Sequence, residues 1–120
     1  RHCYLPTDAL ETTFEGAISN SLLHHLADPD VLWDTIATHV QSGAPIFVMD
    51  LMRPVSEAEV KRLVETYSAD EPEVLRHDFE CSLHAAYRPD EIRKQLERAG
   101  LEHLTIRITS DRHFVVFGHR

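Results

Sequence analysis

The chain has 120 residues, 42% of them hydrophobic, with twenty Asp and Glu against twelve Lys and Arg for a formal net charge of −8. That length makes one domain able to bury a core without metal or disulfide support, spanning 1–120. The acidic balance argues against a broad nucleic-acid footprint, and no apolar run approaches the ~18 residues needed to cross a bilayer, so the expectation is a soluble protein with neither partner.

Cys3 and Cys81 form no CxxC pair, which indicates neither a zinc ribbon nor a redox motif and fits a reducing, cytoplasmic setting. The start at Arg1, without an initiator Met or a signal-peptide core, suggests a fragment of something longer.

In chain order, Arg1 to Leu5 can form a short strand ended by Pro6-Thr7-Asp8, and Ala17-Ile18-Ser19 a second one, with Asn20 and Ser21 at its carboxyl end. Asp28 is placed to cap a helix with Pro29 and Asp30 in its first turn, where a missing N–H and a negative charge are both favoured. Leu32, Trp33, Ile36, Ala37 and Val40 then share one helical face, and the helix stops near Gly43. Pro45-Ile46-Phe47-Val48-Met49 is a continuous apolar run ending in Asp50, as expected of a strand covered on both faces.

Ser56-Glu57-Ala58-Glu59 is a capping box, followed by Val60, Leu63, Val64 and Tyr67 at helical spacing, which makes core packing the expectation for Tyr67. Pro72 opens a helix carrying Val74, Leu75, Phe79 and Leu83; another runs from Pro89 through Ile92, Leu96 and Ala99 to Gly100. Residues His103 to Thr109 and His113 to Gly118 alternate around Ser110-Asp111-Arg112, a hairpin signal. Strand, helix, strand, helices and hairpin make an α/β order with the early strands parallel.

The turn after Ala17-Ile18-Ser19 is where α/β proteins place ligands, just outside the carboxyl end of a strand. His24 and His25 lie there and suit acid–base work near neutral pH; Asp50, ending the next strand, is either a cleft carboxylate or a strand terminator. Adjacent histidines diverge in direction, so at most one of the two is expected in the cleft, the alternative being one packed against Leu22 and Leu26 with the other solvated. A metal site is not expected, although His77 and His84, aided by Asp78 or Glu80, could share a helix face.

An ordered series of segments resembles class I S-adenosylmethionine-dependent methyltransferases of small-molecule type. Thr7-Asp8-Ala9 is similar to that family's gDa segment, Phe14 to Asn20 to its fDgvisN strand, and Leu23 to Pro29 to its lHHl.dP continuation. Ser42 to Asp50 resembles the approach to its next strand, and Ala99-Gly100-Leu101 with the hairpin its closing elements. The resemblance implies a partial Rossmann-like sheet holding the third to seventh strands of a 3-2-1-4-5-7-6 order.

It also implies that Asp8, with Ala9, borders the adenine, that Ser19, Asn20 and Ser21 line the methionine pocket of S-adenosylmethionine, that His24 and His25 sit where the family often faces its small-molecule acceptor, and that Asp50 lies at the cleft mouth as a further catalytic candidate. The family's ExGxG cradle is absent: Gly16, Gly43, Gly100 and Gly118 are the only glycines, and none forms it. The expectation is therefore a carboxyl-terminal portion, completed by a homodimer partner or by a missing N-terminal segment. The alternative is a non-catalytic remnant that binds or assembles through the sheet edge left at Ala17-Ser19.

Overall fold

The structure is a computed structural model that describes residues 2–6 and 10–120, so Asp8 and Ala9 lie outside the described residues. Its strands are β1 (Ala17–Asn20), β2 (Pro45–Leu51), β3 (Thr105–Ile108) and β4 (His113–His119); its helices are α1 (Asp30–His39), α2 (Glu57–Ser68), α3 (Glu73–Ala85) and α4 (Pro89–Arg98). A single 3₁₀ turn, Leu23–His25, follows β1.

The four strands form one sheet in the order β1-β2-β4-β3. β1 runs parallel to β2, with Ile18 opposite Phe47 and Ser19 opposite Val48; β4 is antiparallel to both β2 and β3. The parallel pair needs a crossover, which α1 supplies, while the antiparallel pair β3–β4 is the hairpin read from the alternation.

Side chains opposite one another across strands share a face. Ile46, Val48 and Asp50 therefore lie with Phe114 and Val116 on the face covered by α1 and α4, where Leu32, Trp33, Ile36, Ile92 and Leu96 complete the larger core. Trp33 is fully buried, and its indole N–H donates to Gln95 Oε1 at 2.9 Å, which pairs the indole donor with the amide oxygen of a second buried residue. A second core joins Leu51 to Val60, Leu63, Val64, Leu83 and Ala86 of α2, α3 and the segment after α3.

The helix ends follow the local chemistry of their sequences. Asp28 Oδ1 accepts from the Asp30 N–H at 3.0 Å, and Ser56 Oγ from the Glu59 N–H at 3.2 Å. At α4, Pro89 occupies the first turn and Glu91 Oε1 accepts from the Arg88 backbone N–H at 3.0 Å.

Two expectations require correction. His2 to Leu5 carry no strand, because a strand at that place needs neighbours on its own side of β1 and the described residues provide none. Tyr67 is half-exposed rather than core: its hydroxyl donates to Asp111 at 2.9 Å and the Arg112 guanidinium stacks on its ring at 3.6 Å, tying α2 to the hairpin turn.

Candidate active site

β1 ends in a sharp reversal at Ser21, whose φ of 55° lies in the left-handed region and whose N–H still donates to Met49 O at 3.0 Å. The chain then closes into the 3₁₀ turn, with the His25 N–H donating to Leu22 O at 2.9 Å. Leu23 is fully buried in the larger core, so burying this leucine fixes where the next residue sits.

That residue is His24, 8% exposed, and it meets Asp50, 1% exposed, at the end of β2. His24 Nδ1 lies 2.5 Å from Asp50 Oδ1, and the His24 backbone N–H donates to Asp50 Oδ2 at 3.3 Å. Oδ1 also accepts from the Leu51 N–H at 2.7 Å. An ionised carboxylate only accepts, so the contact orients the ring with Nδ1 toward Asp50, and a neutral imidazole held in this way would present Nε2 as the acceptor. An imidazole oriented by a buried carboxylate is an arrangement that can serve acid–base chemistry.

His25 is exposed, with its ring centroid 4.0 Å from that of His24 and tilted by 41°. Both histidines line one pocket of about 310 Å³, closed by Asp78, Cys81, Ser82 and Ala85. This differs from the expected divergence of neighbours, because the tight 3₁₀ turn brings the two rings against each other. The α3 contribution went unread in the sequence. Asp78, Cys81, Ser82 and Ala85 recur at three- and four-residue spacing, a small and polar stripe that could have marked the cavity-facing side of the helix.

Cys81 Sγ is 3.5 Å from His77 Nε2. Tyr87 OH donates to Leu26 O at 3.3 Å, pinning the segment that follows the histidines to the end of α3. Burial first, then the nearby carboxylates of Glu91, Asp28, Asp30 and Asp50, push the Tyr87 phenol above its ordinary range, so it remains a donor.

The other sequence-derived positions are distributed around this centre. Ser19 points into a groove beside α1 lined by Phe14, Leu32 and Ile36, and its buried Oγ has no hydrogen-bond partner. Asn20 and Ser21 are exposed at the carboxyl end of β1, with Ser21 Oγ donating to Asn20 Oδ1 at 3.1 Å. His84 and Glu80 meet Glu57, their ligand atoms lying within 4.8 Å of one another, while His77 and Asp78 belong elsewhere.

His113, cross-strand from Leu51, makes the region sensitive to pH. Burial, reinforced by the Arg112 charge and opposed by Asp111 and Asp50, holds its imidazole below the usual range. The folded state therefore takes up this proton at lower pH than the unfolded chain. The stability it contributes is complete above a pH of about 6.5 and is lost as the pH falls through the window below that value. Urea titrations across that window should show a shallower pH slope for His113→Gln than for the parent.

No family model and no curated protein sequence matches the chain. Solved structures do. A candidate O-methyltransferase from Nostoc punctiforme superposes with a TM-score of 0.53 at 14% identity, covering 89% of this chain and 32% of its own. An O-methyltransferase family protein from Burkholderia thailandensis superposes with a TM-score of 0.55 at 16% identity, covering 92% and 31%. The chain thus has a methyltransferase-like α/β fold, and it spans about a third of the length of these two structures. Among the described residues no helix is long and apolar enough to cross a membrane.

Proposed function

We propose that this chain is the carboxyl-terminal portion of a class I S-adenosylmethionine-dependent methyltransferase acting on a small-molecule acceptor in the cytoplasm. The buried His24–Asp50 pair at the carboxyl ends of neighbouring parallel strands carries this reading. The strand order β1-β2-β4-β3 is consistent with the fourth, fifth, seventh and sixth strands of the family sheet, and no equivalent of the third is found among the described residues. The net charge of −8 disfavours nucleic acid as the acceptor.

The residues present suit one side of a cofactor site. Ser19 brings an orphaned buried hydroxyl, and Asn20 and Ser21 bring exposed polar groups, all at the end of β1. By the resemblance, Asp8 and Ala9 would border the adenine. The cradle side must come from an N-terminal segment or from a second copy. When bound, S-adenosylmethionine supplies an electrophilic sulfonium methyl group.

His24 Nε2 would take the proton released by an acceptor hydroxyl, while the bound cofactor would supply the methyl group, its S–CH3 bond breaking to leave a neutral thioether. Asp50 holds the opposite N–H in place and stabilises the resulting imidazolium. Positioning supplies much of the remaining rate, with His25, Cys81 and Ser82 shaping the pocket in which the acceptor is held. Calorimetric titration tests the reading: micromolar S-adenosylmethionine binding supports a site rebuilt in this chain.

One observation favours a second reading, a non-catalytic module that assembles through its sheet edge. Ile18 on β1 is 83% exposed, and Phe47 beside it on the same face 43%, so an apolar edge and its flank are both uncovered. No cofactor binding at millimolar concentration, together with a dimer in sedimentation that Ile18→Lys converts to monomer, would support this reading instead.

A further inference from the structure

The largest cavity described, about 500 Å³, also lies at the carboxyl end of β2 and shares no lining residue with the His24 pocket. Met52, Pro54 and Val55 form one wall, Arg88 and Pro89 at the start of α4 another, and Ile108 at the end of β3 a third. Val55 is 80% exposed and Ile108 58%, so branched apolar side chains face water across the opening.

The charges around this cavity are matched, with two exceptions. Arg53 is paired with Glu91 at 2.5 Å and donates to Ala86 O at 3.4 Å. Glu59 accepts from Arg62 at 2.9 Å, and Asp111 accepts from Arg62, Tyr67 and Arg112. Asp90 stands exposed in the first turn of α4. Arg88 is the unmatched cation: its Nε is buried without a partner, and its guanidinium enters none of the ion pairs among the described residues. With no ion pair on its guanidinium, Arg88 is the arginine lining this cavity that is left to bind a carboxylate, which a guanidinium grips through two parallel hydrogen bonds.

We propose that this cavity is a binding site for a small-molecule monocarboxylate with an aliphatic body, the carboxylate on Arg88 and the hydrocarbon against Val55, Ile108, Met52 and Pro54. One unmatched guanidinium calls for one negative charge. A more highly charged anion would place its further charge beside the exposed carboxylate of Asp90. The site stands on these residues alone and does not depend on the methyl-transfer reading.

Octanoate and octan-1-ol, titrated by calorimetry into the full chain, provide the test. Octanoate should bind at least about tenfold more tightly than octan-1-ol, because only the acid engages the guanidinium. Arg88→Met, checked for native circular dichroism, should lose that preference while leaving octan-1-ol binding unchanged. Arg88→Lys, which keeps the charge but not the fork, should fall between parent and Arg88→Met. Arg76→Met removes the other arginine whose buried Nε is unpartnered and should leave octanoate binding as it was. Equal binding of acid and alcohol, an octanoate affinity that survives Arg88→Met, or no saturable octanoate binding overturns the proposal.

Discussion

Asp50→Ala is expected to cost roughly 3 kcal/mol or more of folding stability, because each of the three buried donors it leaves unpaired costs about 1–3 kcal/mol. The carboxylate accepts from His24 Nδ1, from the His24 backbone N–H and from the Leu51 N–H, and all of these donors would be stranded together. No rearrangement can rescue them, because Asp50 is 1% exposed and its strand is held on both sides by β1 and β4. Asp50→Asn should cost less, since its amide oxygen can still accept from Nδ1 and Leu51, while its NH₂ must replace Oδ2 opposite the His24 N–H. Urea unfolding followed by circular dichroism measures both. A loss below about 1 kcal/mol for Asp50→Ala would mean that the pair is more open to water than the structure has it.

Trp33→Ala should be of similar size, about 3–5 kcal/mol, for a different reason. Trp33 is fully buried in the layer where α1 and α4 meet the sheet, and truncation opens a void between elements that cannot close without moving the sheet. Trp33→Phe separates the two contributions. It keeps most of the volume but leaves Gln95 Oε1, in a residue 3% exposed, without the indole N–H, which costs about 1–3 kcal/mol. Adding Gln95→Leu should recover part of that loss. A double-mutant cycle whose coupling is zero would show that the hydrogen bond contributes nothing to the packing of α1 on α4.

Much of the architecture is legible in the residues because it is local. The capping box at Ser56, Asp28 before α1, Pro89 opening α4 and the alternation of the hairpin each act over a few positions, and each element formed where those signals stand. The continuous apolar run from Pro45 also announced a central strand, and it lies between β1 and β4, but the expected cover on both faces is absent: Phe47 is 43% exposed because the described helices of the larger core lie on the opposite face. Tyr67 was misread because helical spacing reports only which residues share a stripe. Whether the stripe's end meets a core or a charged turn depends on the hairpin, forty-four residues away in the chain.

The active-site candidates divide along the same line. Histidine at a strand-to-turn junction and aspartate at the end of the next strand are visible as types and places in the sequence. Their pairing is not, since it joins residues 26 apart through a parallel register and a turn anchored by Leu23. The polar stripe of α3 over the pocket and the unmatched Arg88 are equally invisible in one dimension. The residues by themselves determined the helices α1 to α4, the strands β1 to β4 and the chemistry on offer, because propensity, capping and periodicity are properties of neighbours along the chain, whereas the strand read at the N-terminus, which needs a neighbour, does not form among the described residues. Which imidazole is buried on a carboxylate, which guanidinium is left unpaired and which strand edge stays bare were decided only by tertiary packing, because burial and charge pairing depend on distances between segments that the linear order does not contain.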